Sequence, residues 1–218
     1  MKTPEQTDPD APRSTRTALL AAGIHLFGKK GYIGTSTREI AHRANTNIGS
    51  IAYHFGSKEG LHQACGAEIS RRIREGIGTP EASAPSSPEA ARTRLETTIR
   101  AFVMFLNGSR HADDVVSFMV QELGTKGPAF EIIYETLIEP KHREICQLWS
   151  TASGQPADSE SVKLAVFAFL GQSLYFRIGR EAVNRRMGWD GSTPENAAMI
   201  ANILITNLRK ILNEEPNE

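Results

Sequence analysis

The stretch IGSIAYHFGSKEG, residues 48–60, sets Tyr53, His54 and Phe55 side by side between two glycines and follows them with Ser57, Lys58 and Glu59. Such a set suits four kinds of chemistry: a packed core, metal ligands, an acid–base couple or a reader of nucleic acid. Tyr53 and His54 are neighbours, so on a helix they point about 100° apart and do not converge on one substrate atom. No Ser, Cys or carboxylate stands at triad-like spacing and no glycine-rich loop follows a strand, which leaves a helical enzyme as a remote reading. His62 with Cys65 and His142 with Cys146 lie three and four apart, and either pair could open a metal site. Two ligands are too few, and no second pair has matching spacing. Both cysteines read as small buried thiols, with redox sensing as the sharper alternative, and neither a metal nor a cofactor is expected.

The nucleic-acid reading draws on charge. The 218-residue chain is neutral overall, 39% hydrophobic and 23% charged, as a globular protein is. Yet Arg13 to Gly78 holds ten Lys/Arg against four Glu, a net +6. A basic head on a mildly acidic body is the footprint of a protein that meets phosphate at one end. A solvated helical surface can give the same count, so charge alone is a hint. The two cysteines imply no disulfide framework, the polar N-terminus MKTPEQTDPDAPR is no signal peptide, and the apolar run LAVFAFLG is too short to span a bilayer. A soluble cytoplasmic protein with no membrane partner is expected.

The elements that must position these residues are helical throughout. RSTRTALLAAGIHLFGKKG repeats apolar residues at helical spacing and stops at Gly31. STREIAHRAN opens on Ser36 with Glu39 three residues on, a capping box. TNIGSIAYHFG is a third short helix, and a fourth starts at Ser57. TPEASAPSSP, residues 79–88, reads as a linker. Beyond it, helices are expected at about 88–107, 113–123, 128–152, 159–187 and 194–213, with Pro88, Pro128 and Pro194 at first helical positions and Ser87 and Thr193 as caps. The fold class is all-α: a helix-turn-helix domain over 13–78, including the linking helix from Ser57, and a larger helical domain over 89–214.

Two short helices joined by ANTN make a helix-turn-helix, whose second helix reads the major groove. Its exposed face comprises Asn47, Ile48, Ser50, Tyr53 and His54, with Ile51 and Phe55 as buried anchors. Gly49 removes a side chain where the helix nears a DNA backbone. Lys58, opening the next helix, suits a phosphate.

The segment GYIGTSTREIAHRANTNIGSIAYHFGSKEGL resembles the DNA-binding domain of the TetR family of bacterial transcriptional regulators. The shared features are Gly-Tyr after helix one, Thr-Arg-x-Ile-Ala in helix two, and the aromatic-His-Phe-x-x-Lys-x-x-Leu ending. The resemblance implies phosphate and occasional base contacts for Thr37 and Arg38. It places recognition contacts at Ile48, Gly49, Ser50, Tyr53 and His54, and a phosphate-binding lysine at Lys58. Ala52 departs from the tyrosine that many members carry there. GPAFEIIYETLIEPKHREICQLWSTASG and the helix after it are similar to the CecR/CerR-type subgroup, which implies control, usually by repression, of genes for export or tolerance of toxic small molecules.

The C-terminal aromatics are open to two readings. Phe102, Phe105, Phe118, Tyr134, Trp149, Phe169, Tyr175 and Phe176, with Gln172 among them, could line a pocket for a small apolar or amphipathic effector. They could equally fill a core and a dimer seam. The expectation is a homodimeric, ligand-responsive repressor on a near-palindromic operator, half-sites about 34 Å apart, paired through helices 159–187 and 194–213. A dimer that binds DNA without any ligand is the alternative.

Overall fold

A computed structural model describes residues 11–78, 85–107 and 112–213 of the chain. Among these residues the fold is all-α: α1 (Ala11–Lys30), α2 (Thr37–Arg43), α3 (Gly49–Phe55), α4 (Lys58–Ile77), α5 (Pro88–Asn107), α6 (Ala112–Thr125), α7 (Phe130–Ile133), α8 (Glu139–Ser153), α9 (Glu160–Ile178), α10 (Arg180–Met187) and α11 (Pro194–Asn213). The expected linker falls largely on 79–84, outside the described residues.

Local sequence sets most helix ends. At α2, Glu39 N–H donates to Ser36 Oγ at 3.2 Å and Ser36 N–H donates to Glu39 Oε2 at 2.9 Å, completing the capping box. Pro88 and Pro194 open α5 and α11, and the Ser87 and Thr193 hydroxyls accept the N–H groups of Ala90 and Asn196.

Two expected helices are interrupted. Helix 159–187 is two, because Gly179 leaves the helical region at φ −84°, ψ 14°. There the Tyr175 ring folds back so closely that a Cβ on residue 179 would lie 3.3 Å from its Cζ. Helix 128–152 is broken by a π-turn over Tyr134–Ile138, just before Pro140. Proline lacks the N–H that Thr136 O would accept four residues on, and Arg74 Nη1 donates to that oxygen instead, at 2.6 Å.

The chain forms two compact units that are not continuous stretches of sequence. The first takes the described residues up to Ser70 together with Asp113–Ile133; the second takes those from Arg71 to Ala112 and from Tyr134 onward. Close backbone approaches bind α6 and the start of α7 into the first unit. A Cβ on Gly28 of α1 would lie 2.9 Å from Phe118 N, and one on Gly66 of α4 would lie 2.7 Å from Ala129 Cβ. Leu19, Ile24, Phe27, Ile40, Ile51, Leu61, Ile69 and Phe118 form its buried interior. In the second unit α5, α8, α9 and α11 enclose Leu95, Leu148, Trp149, Val166, Phe169 and Leu208, and a neighbouring cluster joins Val103 to Ala201 and Leu204.

Candidate nucleic-acid interface

The turn between α2 and α3 is built by asparagines. Asn45 takes φ +50°, a left-handed conformation that asparagine tolerates better than most residues, and Thr46 N–H donates to Ala41 O at 2.9 Å. Asn47 then starts α3, its Oδ1 accepting Ser50 N–H at 3.0 Å. A Cβ on Gly49 would crowd that same Oδ1 at 3.1 Å, which gives Gly49 a local reason to lack a side chain. Ser50 Oγ lies 2.9 Å from Thr46 Oγ1, so this hydroxyl already has a protein partner.

The faces of α3 divide sharply. Ile51 is 2% exposed, whereas Tyr53 is 82% and Ile48 53% exposed. His54 is half-buried and packs edge-on against Tyr53 at 4.8 Å. Phe55, expected as a second buried anchor, is only half-buried. It ends the helix at the edge of the unit, where the Arg16 guanidinium lies 5.3 Å from its ring centroid. Around α3, Thr37 is half-buried and Arg38 exposed in the first turn of α2, and Asn47 and Gly49 are exposed. Lys58 in the first turn of α4 has its Nζ over the Tyr32 ring, 4.3 Å from the centroid.

Behind this surface lies a buried polar pair that periodicity alone did not single out. His62 and Glu122 are 1% and 3% exposed, with Nε2 and Oε1 3.2 Å apart, in ion-pair reach but off the line of a hydrogen bond. Phe27, Tyr32 and Phe118 ring the imidazole at 4.4, 4.9 and 4.9 Å. Glu122 and Arg16 had no readable signal, since each takes its role from a neighbour distant in sequence. Tyr32 is marked only as part of the Gly-Tyr after helix one, not as a partner of Lys58 and His62.

The residues expected to line an effector pocket are divided between the two units. Phe118 is a correction: it packs against Phe27 and His62 in the first unit, because α6 belongs there. Trp149 and Phe169 are packed into the second unit's core, rings 5.6 Å apart. Tyr134 and Tyr175 are 41% and 61% exposed. Phe102, Phe105, Gln172 and Phe176 are half-buried, the Phe105 ring lying where a side chain on Gly76 would project. Phe176 borders a cleft of about 240 Å³, open to solvent, that Asn107, Arg180, Trp189 and Asn196 also line.

The cysteines sit in quiet surroundings. Cys65 Sγ is 3.7 Å from Leu20 O, and Cys146 Sγ is 3.6 Å from His142 Nδ1, whose Nε2 lies 3.2 Å from Lys163 O. Desolvation pushes the Cys146 thiol pKa up, against the pull of Lys163. Among the described residues no group of three His, Cys, Asp or Glu could hold a metal ion, and no helix is long and apolar enough to cross a membrane.

An outward-facing second helix, fixed by a buried anchor at the basic head of an all-α chain, defines a helix-turn-helix DNA-binding regulator. Residues 19–65 match the family described as bacterial regulatory proteins, tetR family, and residues 91–214 match the C-terminal domain of the HTH-type transcriptional dual regulator CecR. The chain is 30% identical over 200 residues, 89% of each chain, to the HTH-type transcriptional dual regulator CecR of Shigella flexneri. It therefore belongs to the TetR family of bacterial transcriptional regulators and carries a CecR-type C-terminal domain. Its fold is shared with AibR solved in complex with isovaleryl coenzyme A and operator DNA, at TM-score 0.65 and 20% identity over 88% of this chain and 97% of that one. It is shared also with a TetR-like transcriptional regulator from Rhodococcus sp. RHA1, at TM-score 0.65 and 16% identity over 96% and 100%. These relatives and this fold are those of transcriptional regulators, not of enzymes.

Proposed function

We propose that the protein is a cytoplasmic, homodimeric repressor that releases a near-palindromic operator when a small apolar or amphipathic molecule binds. In this reading Asn47, Ile48, Gly49, Ser50, Tyr53 and His54 enter the major groove, while Thr37, Arg38 and Lys58 meet phosphates. The observation that carries it is the exposure of Tyr53 and Ile48 opposite the buried Ile51. Large apolar groups held out on a short helix suit a partner surface, and Ile48 suits a thymine methyl.

The homodimer reading rests on α9 and α11. Leu164, Phe167, Tyr175 and Ile178 on one, and Met199, Ile203 and Ile211 on the other, are at least 43% exposed. Nothing lies within 4 Å of where a Cβ on Gly171 would stand on α9. Stripes of that size are supplied with a partner when two copies pair.

An effector is supported by the half-buried Phe102, Phe105, Gln172 and Phe176, and by analogy with AibR, solved with isovaleryl coenzyme A. The packed Trp149 and Phe169 favour the second reading, a dimer that binds DNA without a ligand. Fragments of the DNA flanking the gene, titrated by fluorescence anisotropy, test the central claim. One fragment should bind far above a random duplex, and Lys58→Ala should flatten its log-affinity against log-salt slope by about one unit per subunit. Equal binding to all fragments and to random DNA overturns a sequence-specific regulator. Release of the bound fragment by an added small molecule separates the two readings of the C-terminal domain.

A further inference from the structure

We propose that the buried pair His62–Glu122 is a positioning device for Lys58, acting through Tyr32 to hold the lysine oriented before DNA arrives. The proposal rests on the reading that Lys58 meets phosphate. Lys58 and His62 are one helical turn apart on α4, so they share a face. Tyr32 stands between them: its ring lies under Lys58 Nζ at 4.3 Å and edge-on to His62 at 4.9 Å. His62 in turn faces Glu122 Oε1 at 3.2 Å. Glu122 is itself fixed, because its Oε2 accepts Ala129 N–H at 2.9 Å and the chain at Gly127 wraps so tightly that a Cβ there would overlap both carboxylate oxygens.

The sequence of contacts therefore runs from the turn after α6 to the phosphate-facing lysine within one compact unit. A buried ionisable pair is a poor source of stability, since well-packed apolar residues of the same volume do as well or better. What it supplies is register: an imidazole facing a carboxylate fixes one setting of α4 against α6, where two apolar surfaces could slide. A lysine side chain loses much rotamer freedom when it docks, and one already held over an aromatic ring loses less on binding.

The test is a double-mutant cycle read on the full-length protein with a fluorescein-labelled random-sequence duplex, for which phosphate contacts supply the affinity. Glu122→Gln keeps the shape and an acceptor for Ala129, and should weaken binding about two- to fivefold, the range of an exposed cation–aromatic contact. In a Lys58→Ala background the same change should have no further effect. Tyr32→Leu should reproduce the loss and Tyr32→Phe restore binding. Thermal melts identify any variant that fails to fold, and the tyrosine pair then carries the test. Equal losses with and without Lys58 overturn the proposal, because the pair then acts only on the fold. So does an unchanged affinity for Glu122→Gln and Tyr32→Leu when Lys58→Ala still flattens the salt slope. A slope that ignores Lys58→Ala overturns instead the phosphate reading on which the proposal stands.

Discussion

Asn47 Oδ1 accepts the backbone N–H of Ser50 at 3.0 Å, and Gly49, between them, has no Cβ to obstruct that bond. One residue thus starts the recognition helix and stands on its exposed face. Its carboxamide oxygen is committed to the helix, so in the proposed reading its NH₂ group is the part that meets DNA.

Asn47→Ala should therefore act twice. Loss of the cap should lower stability by about 1 kcal/mol in urea unfolding, and specific DNA binding should weaken as α3 frays. Asn47→Asp keeps the cap and should restore stability while placing a negative charge before DNA, so binding should not recover. Equal stability of Asn47→Ala and the parent protein would show that the cap contributes nothing.

The two faces of α3 should separate stability from recognition. Ile51→Ala should cost about 3 kcal/mol, within the range for a buried isoleucine, whereas Tyr53→Ala should leave the melt nearly unchanged and remove sequence-specific binding. Phe55→Ala should cost less than Ile51→Ala, because Phe55 is half-buried under Arg16. Chemical unfolding of the three variants, beside DNA titrations, checks the ranking.

Charges placed in the apolar stripes of α9 and α11 should split the proposed dimer. Leu164→Glu with Ile203→Glu should elute as a folded monomer in size-exclusion chromatography with light scattering. Operator affinity should then fall by roughly 100-fold or more, as the two heads lose their effective concentration for one another. A variant that remains dimeric places the interface elsewhere.

Acid should weaken the head through Glu39. Hydrogen bonds from Lys30 Nζ and from Ser36 hold its carboxyl at about 2, below the ordinary 4.5. The unfolded state then binds more protons over that window, so this contribution is present above about 4.5 and is lost as pH falls toward 2. Unfolding followed across that range should show a shallower acid-side loss for Glu39→Gln than for the parent.

The sequence by itself determined what is local. Ser36 with Glu39, and the prolines and hydroxyl caps opening α5 and α11, each satisfy backbone groups within a few residues, so helix ends could be read directly. The motif from Gly31 to Leu61 carried the family, and the apolar spacing of α3 carried the buried Ile51. Tertiary structure decided which partner each face meets. Periodicity marks Phe118 as apolar but cannot say that α6 packs beside α1 at Gly28 rather than with α5 and α8. It likewise could not place Arg16 over Phe55, or turn an isolated His62 and a distant Glu122 into a buried pair. A side chain's burial and charge environment belong to the neighbours that folding brings to it, and those neighbours come from elements remote in the chain.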